Sequence, residues 1–418
     1  MDNMRMRDES RVLALPGSIT KAVPWFSTRP AVPPLESTLV TTDWLIVGAG
    51  LTGCTFAERI AAELGQRVIL IDSRNHVGGN AYDYYNSDGI LVHKYGPHIF
   101  HTNSQRVWDY LSRFTSWRPY FHQVLGVVEG HKVPVPFNLN SIAELFPKGL
   151  ASRLEDALLR SFPYGAKVPI LKMLQSEDGI GADKDLRFLA DFVYKNVFLG
   201  YTIKQWGLKP EELDPSVTAR VPIHVSRDNR YFQDTYQSMP ADGFSAMFER
   251  MLAHRNIRIM LQTDFRSIER EISHKRLIFT GPMDEYFDTL HGGLPYRSLK
   301  LDFETVGTER YQETGTVNFP NEHALTRCTE FKYLTGQTHA KTTIAREYPC
   351  PYVPGETVPY YPVPRAENAG LYGKYLDEAK KLKGKVVFAG RLADYKYYNM
   401  DQAVAHALKV FEQQVANQ

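Results

Sequence analysis

The sequence predicts an α/β fold whose dinucleotide-binding domain is assembled from both ends of the chain. Three observations carry this. Near the start, Ile46–Gly53 (IVGAGLTG) is a hydrophobic strand running into Gly48-x-Gly50-x-x-Gly53. Near the end, Val386–Arg391 (VVFAGR) is a second glycine-bearing strand, followed by an apolar helical pattern. Between them lie a helical stretch and a long alternating one, which read as insertions. A single glycine fingerprint is a weak signal, but two that flank inserted segments imply that first and last segments meet around one ligand.

Composition bounds the remaining possibilities. With 418 residues, two or three structural domains are expected. The hydrophobic content of 43% is that of an ordinary globular protein. A net charge of +2 and the absence of any long Lys/Arg block argue against nucleic-acid binding. Cys54, Cys328 and Cys350 have neither C-x-x-C nor zinc spacing. No metal is expected, and a reducing cytoplasm fits. No apolar run reaches the roughly 20 residues of a membrane span. Residues 1–42 carry mixed charges and then Pro24, Pro30, Pro33 and Pro34. They read as an irregular N-terminal extension without a secretory core.

The elements follow in order. Asp43–Gly53 is strand then phosphate turn, Thr55–Leu64 helix, and Arg67–Ile71 strand, ending at Asp72. Arg74–Asn80 (RNHVGGN) is a glycine turn and His93–Asn103 is turn-rich, with three histidines. Ser104 is an expected N-cap for a helix to Phe114. Val124–Phe137 alternates like a hairpin. Residues 141–206 are helical in period, broken at Pro147, Pro163 and Gly179/Gly181. Gly207–Val217 is a proline-bearing loop. Gly243–His254 reads as helix, and Ile257–Leu261 and Arg276–Phe279 as strands. Residues 296–363 alternate like an antiparallel sheet, and Met400–Val415 is the last helix.

The glycines have separate physical tasks. Gly48 permits the sharp turn, Gly50 lets backbone N–H groups approach a pyrophosphate, and Gly53 lets helix pack on strand. The helix N-terminus favours the anion. Asp72 stands about twenty residues beyond Gly53, where a carboxylate accepts from ribose hydroxyls. The continuation Asp72-Ser-Arg74-x-x-x-Gly78-Gly79-Asn80 is not required of NAD-binding dehydrogenases. It resembles the glutathione-reductase-like and amine-oxidase-like FAD proteins, which favours FAD over NAD. Gly390 allows close approach, Arg391 offers charge, and the helix beginning at Met400 and Asp401 could direct its positive end at the flavin.

Several further stretches share one resemblance: KYGPHIFHT, GYTIKQWG (Gly200–Gly207), ARVP (Ala219–Pro222), TRCTEFKYL (Thr326–Leu334), PYYPV (Pro359–Val363) and FAGRLADYKYYNMD. In this order, from about Thr42 to the C-terminus, the chain resembles the bacterial UDP-galactopyranose mutases. The resemblance implies a FAD-binding Rossmann-like (glutathione-reductase-like) domain with an inserted α-helical domain and an antiparallel β-sheet domain. The expected division is 43–118, 240–290 and 383–418 for the FAD domain, and 140–206 for the helical domain, with a mobile loop 207–224. The sheet domain would take 119–139, 225–239 and 291–382. It also implies interconversion of UDP-galactopyranose and UDP-galactofuranose by FAD that is active when reduced. Flavin N5 would attack the anomeric carbon to form a sugar adduct, with no net redox change. NAD(P)H or another external reductant and a homo-oligomer are expected with it.

That chemistry asks for particular residues. A departing diphosphate needs positive charge, and Arg220 and Arg327 stand at the matching positions, although alone each reads as an ordinary surface or strand charge. Tyr231, Tyr361 and Tyr397 match neutral phosphate donors. Phe198, Tyr201 and Trp206 match a uridine wall, with Asn318 as polar reader; by spacing alone they read equally as helix core. His98 and His101 fall in the flavin-facing stretch, without a carboxylate partner visible in sequence. Glu347 is the candidate carboxylate. Two positions depart from many relatives, Asn399 replacing Asp and His122 replacing Asn, both on the substrate side. An amine-oxidase-like flavin oxidoreductase is the alternative enzyme, and a sugar-nucleotide-binding protein with a structural FAD a third class.

Overall fold

A computed structural model describes residues 40–175, 183–214 and 222–416. At its centre is a parallel sheet of five strands in the order Ile257–Met260, Val68–Ile71, Val40–Val47, Ile272–Phe279, Val386–Phe388. Val68–Ile71 is buried at every position, as a strand covered on both faces must be. Neighbouring residues alternate between the faces. Ile46, Leu70 and Ile278 pack beneath the helices Leu51–Glu63, Phe244–Leu252 and Met400–Val410. Leu45, Ile69 and Leu277 pack with Phe265 and Phe279 on the other side. The separated glycine strands do share this sheet, as the sequence predicts. The first strand starts at Val40 and so takes in the end of the expected extension; residues 1–39 lie outside the described residues.

A seven-stranded sheet takes the order Tyr361–Pro362, Tyr296–Val306, Thr342–Pro351, Arg327–Glu330, Thr316–Asn318, Val124–Val128, His131–Val135. It is antiparallel except where Thr316–Asn318 runs parallel to Val124–Val128. Residues 139–206 form the helices Leu139–Leu145, Lys148–Ser161, Ile170–Gln175, Lys184–Val193 and Gly200–Trp206 around their own core, which includes Leu154, Leu158, Leu189 and Phe198. The stretch breaks at Pro147 as expected, between Leu145 and Lys148, and the proline is the N-cap of the second helix, a position where its missing N–H costs nothing. Ser104 caps the helix Gln105–Ser112 as expected, accepting from the Val107 amide at 3.3 Å.

Three features depart from the sequence reading. Tyr236–Pro240 does not join the large sheet but lies between Phe100–Thr102 and Trp117–Pro119. Ala366–Lys381 is a sixteen-residue helix, beyond the alternating stretch 296–363 but within the bounds 291–382 given to the sheet domain; its buried Tyr375 packs with Met283, Leu294 and Tyr296. Tyr194–Leu199 widens into a π-helical turn, of the kind that often marks a functional site. Among the described residues no helix is long and apolar enough to cross a membrane.

The tightest constraint is the first glycine turn. A Cβ on Gly53 would overlap the Gly48 carbonyl oxygen, which is backbone and cannot swing aside. Gly53→Ala should therefore cost about 2 kcal/mol or more, read as a lowered thermal midpoint. Gly373→Ala, with nothing within 4 Å of the new Cβ, should gain up to about 1 kcal/mol of helix propensity. Equal midpoints for the two variants would contradict the close packing described.

Candidate functional site

A cavity of about 480 Å³ opens at the carboxyl ends of the parallel strands, where open α/β sheets bind ligands. Each strand contributes the turn that follows it. Gly48 and Gly50 come from the first, Asp72 and Arg74 from the second, Thr280 from the fourth, and Gly390 and Arg391 from the last. Gly79, Asn80, His98, Asn399 and Met400 complete the wall. Gly48 and Gly390 adopt φ of +99° and +112°, which the left-handed region allows cheaply only to glycine. The two glycine turns press on one another: a Cβ on Gly79 would lie 2.9 Å from the Gly50 Cα. The helix Leu51–Glu63 begins at Gly50 without a side-chain cap, so its first N–H groups remain available to an anion.

Charge and hydrogen bonding shape this cradle. Asp72 accepts from the Ala49 amide at 2.8 Å and the Arg74 amide at 2.9 Å, tying the two turns together. Arg74 donates to Asn80 at 3.0 Å and lies over the Tyr95 ring at 4.5 Å. Burial pulls the Arg391 guanidinium below its ordinary pKa, and Tyr361 and Tyr397 partly offset this. Backbone donors, two cations, a carboxylate in the cavity wall and glycines whose side chains would fill the space together fit a dinucleotide such as FAD. Asp401 is not in this wall; its carboxylate accepts from Thr102 at 2.9 Å. Gly53 supports the wall from within the helix.

A second, smaller cavity of about 80 Å³ is lined by Phe198, Tyr201, Trp206, Tyr231 and Asn318, among others. The candidate base-stacking residues thus come together. Burial holds the Tyr201 and Tyr361 hydroxyls far above their ordinary pKa, so both are neutral donors. An aromatic path joins this cavity to the first. Trp206 lies 5.9 Å from Tyr361 and 6.4 Å from Tyr397; those two stack at 5.3 Å and 15°; and the Arg391 Cζ is 6.0 Å from the Tyr361 ring.

Beside this path, three adjacent strands place Asn318, Arg327 and Glu347 directly opposite one another. The Arg327 Nε donates to Glu347 at 2.9 Å. The Glu347 side chain is 2% exposed and that of Arg327 25%. Burial works against the Arg327 charge, but attraction to Glu347 together with the neighbouring tyrosines outweighs it and raises the Arg327 pKa. Among the described residues the guanidinium is held by one edge, through Nε, which turns its terminal nitrogens toward a ligand. Arg220 lies outside the described residues, as does the rest of segment 215–221.

The histidines divide. His101 has the carboxylate partner that the sequence does not reveal: its Nδ1 is 3.0 Å from Asp234, and its ring stacks on Phe232 at 3.6 Å. Asp234 also accepts from Asn103 at 2.9 Å. It lies 133 positions away from His101, just before the strand Tyr236–Pro240 whose pairing with Phe100–Thr102 the sequence pattern misses, so no local signal could have found it. His122 is buried, bonded to the Tyr120 hydroxyl at 2.9 Å and edge-on to Tyr231 at 5.8 Å. Burial pushes His93, His98 and His122 down to about 3, so all three are neutral near pH 7. The His93 Nδ1 accepts from the His98 amide at 3.0 Å.

Along most of its length the chain is similar to known proteins. A family model for UDP-galactopyranose mutase matches residues 196–397, and one for NAD(P)-binding Rossmann-like domains matches 46–114. A "probable UDP-galactopyranose mutase" of Klebsiella pneumoniae is 36% identical, covering 90% of this chain and 96% of its own length. A dTDP-fucopyranose mutase of Escherichia coli is 33% identical, covering 89% and 98%. A UDP-galactopyranose mutase of Mycoplasma genitalium is 34% identical over 89% and 94%. In fold, the chain matches a crystal structure of reduced UDP-galactopyranose mutase with a TM-score of 0.65 at 17% identity, covering 91% and 95%. A putrescine oxidase follows at 0.54 and 13%, covering 90% and 99%.

The buried neutral histidines set a pH dependence. The unfolded chain binds their protons below the ordinary value near 6.5 while the folded chain does not until about 3. Stability is therefore lost as pH falls between those values, by about 1.4 kcal/mol per unit for each group. Urea unfolding from pH 7 to 4 should show a shallower loss for His93→Gln than for the parent chain. Parallel curves would mean that His93 is not held neutral.

Proposed function

The chain belongs to the UDP-galactopyranose mutase family, and from that membership we propose that it interconverts UDP-galactopyranose and UDP-galactofuranose. FAD occupies the larger cavity and the uridine of the substrate the smaller one. The observation that carries this reading is the path Trp206–Tyr361–Arg391 between the cavities, with Arg327 beside it. This arrangement supports a base at one end, a flavin at the other, and a diphosphate between. We read the parallel sheet, the helical segment 139–206 and the seven-stranded sheet as the three structural units whose junction forms the cleft.

Reduced FAD supplies an electron-rich ring nitrogen as nucleophile toward the sugar, with no net change in oxidation state. The chain does the rest. Phe198, Tyr201 and Trp206 flank the uracil and Asn318 meets its polar edge. The terminal nitrogens of Arg327 take up the negative charge of the departing diphosphate, which is stronger in the transition state than in the bound substrate. Tyr361 and Tyr397 add neutral donors. Glu347 orients the guanidinium rather than transferring a proton. His98 is neutral beside the flavin cavity, so it orients by hydrogen bonding and does not serve as an acid at pH 7. His122, edge-on to Tyr231 of the smaller cavity, and Asn399, in the wall of the larger, are the remaining substrate-side candidates, and Asp234 holds the ring of His101.

The 33% identity to a dTDP-fucopyranose mutase favours a second nucleotide sugar of the same chemistry as the one competing reading. The test is turnover of UDP-galactofuranose and of dTDP-fucofuranose by FAD-loaded enzyme, with and without dithionite or NAD(P)H. UDP-galactofuranose should turn over only when the flavin is reduced, without stoichiometric use of reductant. Arg327→Ala should lower kcat by about a hundredfold or more while the flavin absorbance is retained. Peroxide formation as the main event would point to an oxidase instead, and preference for the thymidine sugar would reassign the substrate.

A further inference from the structure

Lys204 lies on the helix Gly200–Trp206 yet lines neither cavity. Its ammonium donates to three carbonyls of a single loop: Phe319, His323 at 2.9 Å and Leu325 at 3.1 Å. Three donors on three acceptors use its full capacity. That loop closes the hairpin between Thr316–Asn318 and Arg327–Glu330, and the opposed pair at its mouth is Asn318 and Arg327. Two more contacts hold loop to helix. Asn321 donates to the Asn196 carbonyl at 2.9 Å. Gly200 makes room for the loop, since a Cβ there would come within 2.6 Å of the Pro320 carbonyl. The far end of the helix is fixed to the sheet, where Arg297 donates to the carbonyls of Gln205 at 2.9 Å and Lys204 at 3.1 Å.

We propose that Lys204 is a positioning residue that latches the Asn318–Arg327 hairpin to the aromatic helix, so that filling the base cavity fixes the Arg327 guanidinium at the diphosphate. This rests on the UDP-sugar reading above. Trp206 and Tyr201 stand on the same short helix as Lys204, and Arg327 follows the loop directly, so the two subsites form one body through the ammonium. The charged and titratable groups on the elements packed against it are Arg297 on the strand Tyr296–Val306, which bonds the helix end, Arg327 at the hairpin mouth, and Glu322 and His323 in the loop. The ring of His323 is turned edge-on to Phe319 at 5.0 Å. Burial lowers the Lys204 pKa to about 8. Above that, a neutral amine has two N–H groups for three carbonyls, and the latch loosens.

The experiment is UDP and uridine binding to FAD-loaded enzyme by Trp fluorescence and calorimetry. Lys204→Met should bind UDP about tenfold more weakly but uridine nearly as well, so that the UDP-to-uridine affinity ratio shrinks. In an Arg327→Ala background the same substitution should cost little, a coupling that a double-mutant cycle reads directly. Parent UDP affinity should fall between pH 7 and 9, and that of Lys204→Met should not. Asn321→Ala, which weakens the same latch more gently, should show the same shift in ratio if Lys204→Met does not fold. Additive effects of the two substitutions, or an unchanged ratio, would overturn the latch. A parent enzyme that binds uridine and UDP equally poorly would overturn the substrate reading itself.

Discussion

The site depends on one ion pair held across two adjacent strands. Glu347 is almost entirely enclosed, and an isolated buried carboxylate would carry a large desolvation penalty. Arg327 relieves it through Nε alone. The pairing register sets this geometry: Asn318, Arg327 and Glu347 are direct neighbours, with Gly126 beyond Asn318 and Leu301 beyond Glu347. Because the carboxylate takes one edge of the guanidinium, the fork that suits a phosphate stays turned outward. Removing Glu347 would free the arginine to wander, and removing Arg327 would strand a carboxylate, so neither residue can be altered without disturbing the other.

Around that pair, two binding surfaces of different physical character meet. One is made of backbone: glycine turns, helix N-termini and an aspartate that ties the turns together. The other is made of aromatic faces. Tyr361 and Tyr397 belong to both, stacking with one another, facing Trp206 on one side and partly compensating the buried charge of Arg391 on the other.

Much of this was legible in the sequence because it is local. The fingerprint Gly48-x-Gly50-x-x-Gly53, the turn at Gly78-Gly79 and the strand before Gly390 announce their geometry within a few residues. The grouping of Phe198, Tyr201, Trp206 and Asn318 came from resemblance, since the spacing alone suits a helix core as well. What was not legible rests on tertiary pairing. Asp234 reaches His101 only because Tyr236–Pro240 pairs with Phe100–Thr102. The helix Ala366–Lys381 hid behind two glycines, Gly370 and Gly373, that weaken a helical pattern. The carbonyls gathered by Lys204 are invisible to any reading of side chains.

The sheet order has a consequence for how such a chain matures. Among the described strands of this sheet, Val40–Val47 comes first in the chain and sits at the centre, and the edge strand Val386–Phe388 is translated last. Until it emerges, Gly390 cannot settle against Thr52, Asp401 cannot reach Thr102, and the helix Leu51–Glu63 lacks the cover of Met400–Val410. The dinucleotide cradle is therefore completed only once this strand and the helix after it have joined, by contacts as distant in sequence as that of Thr102 with Asp401, 299 residues apart, which are slow to form. A prematurely terminated chain would display the bare apolar flank of its first helix, a surface that chaperones and proteases are well placed to recognise.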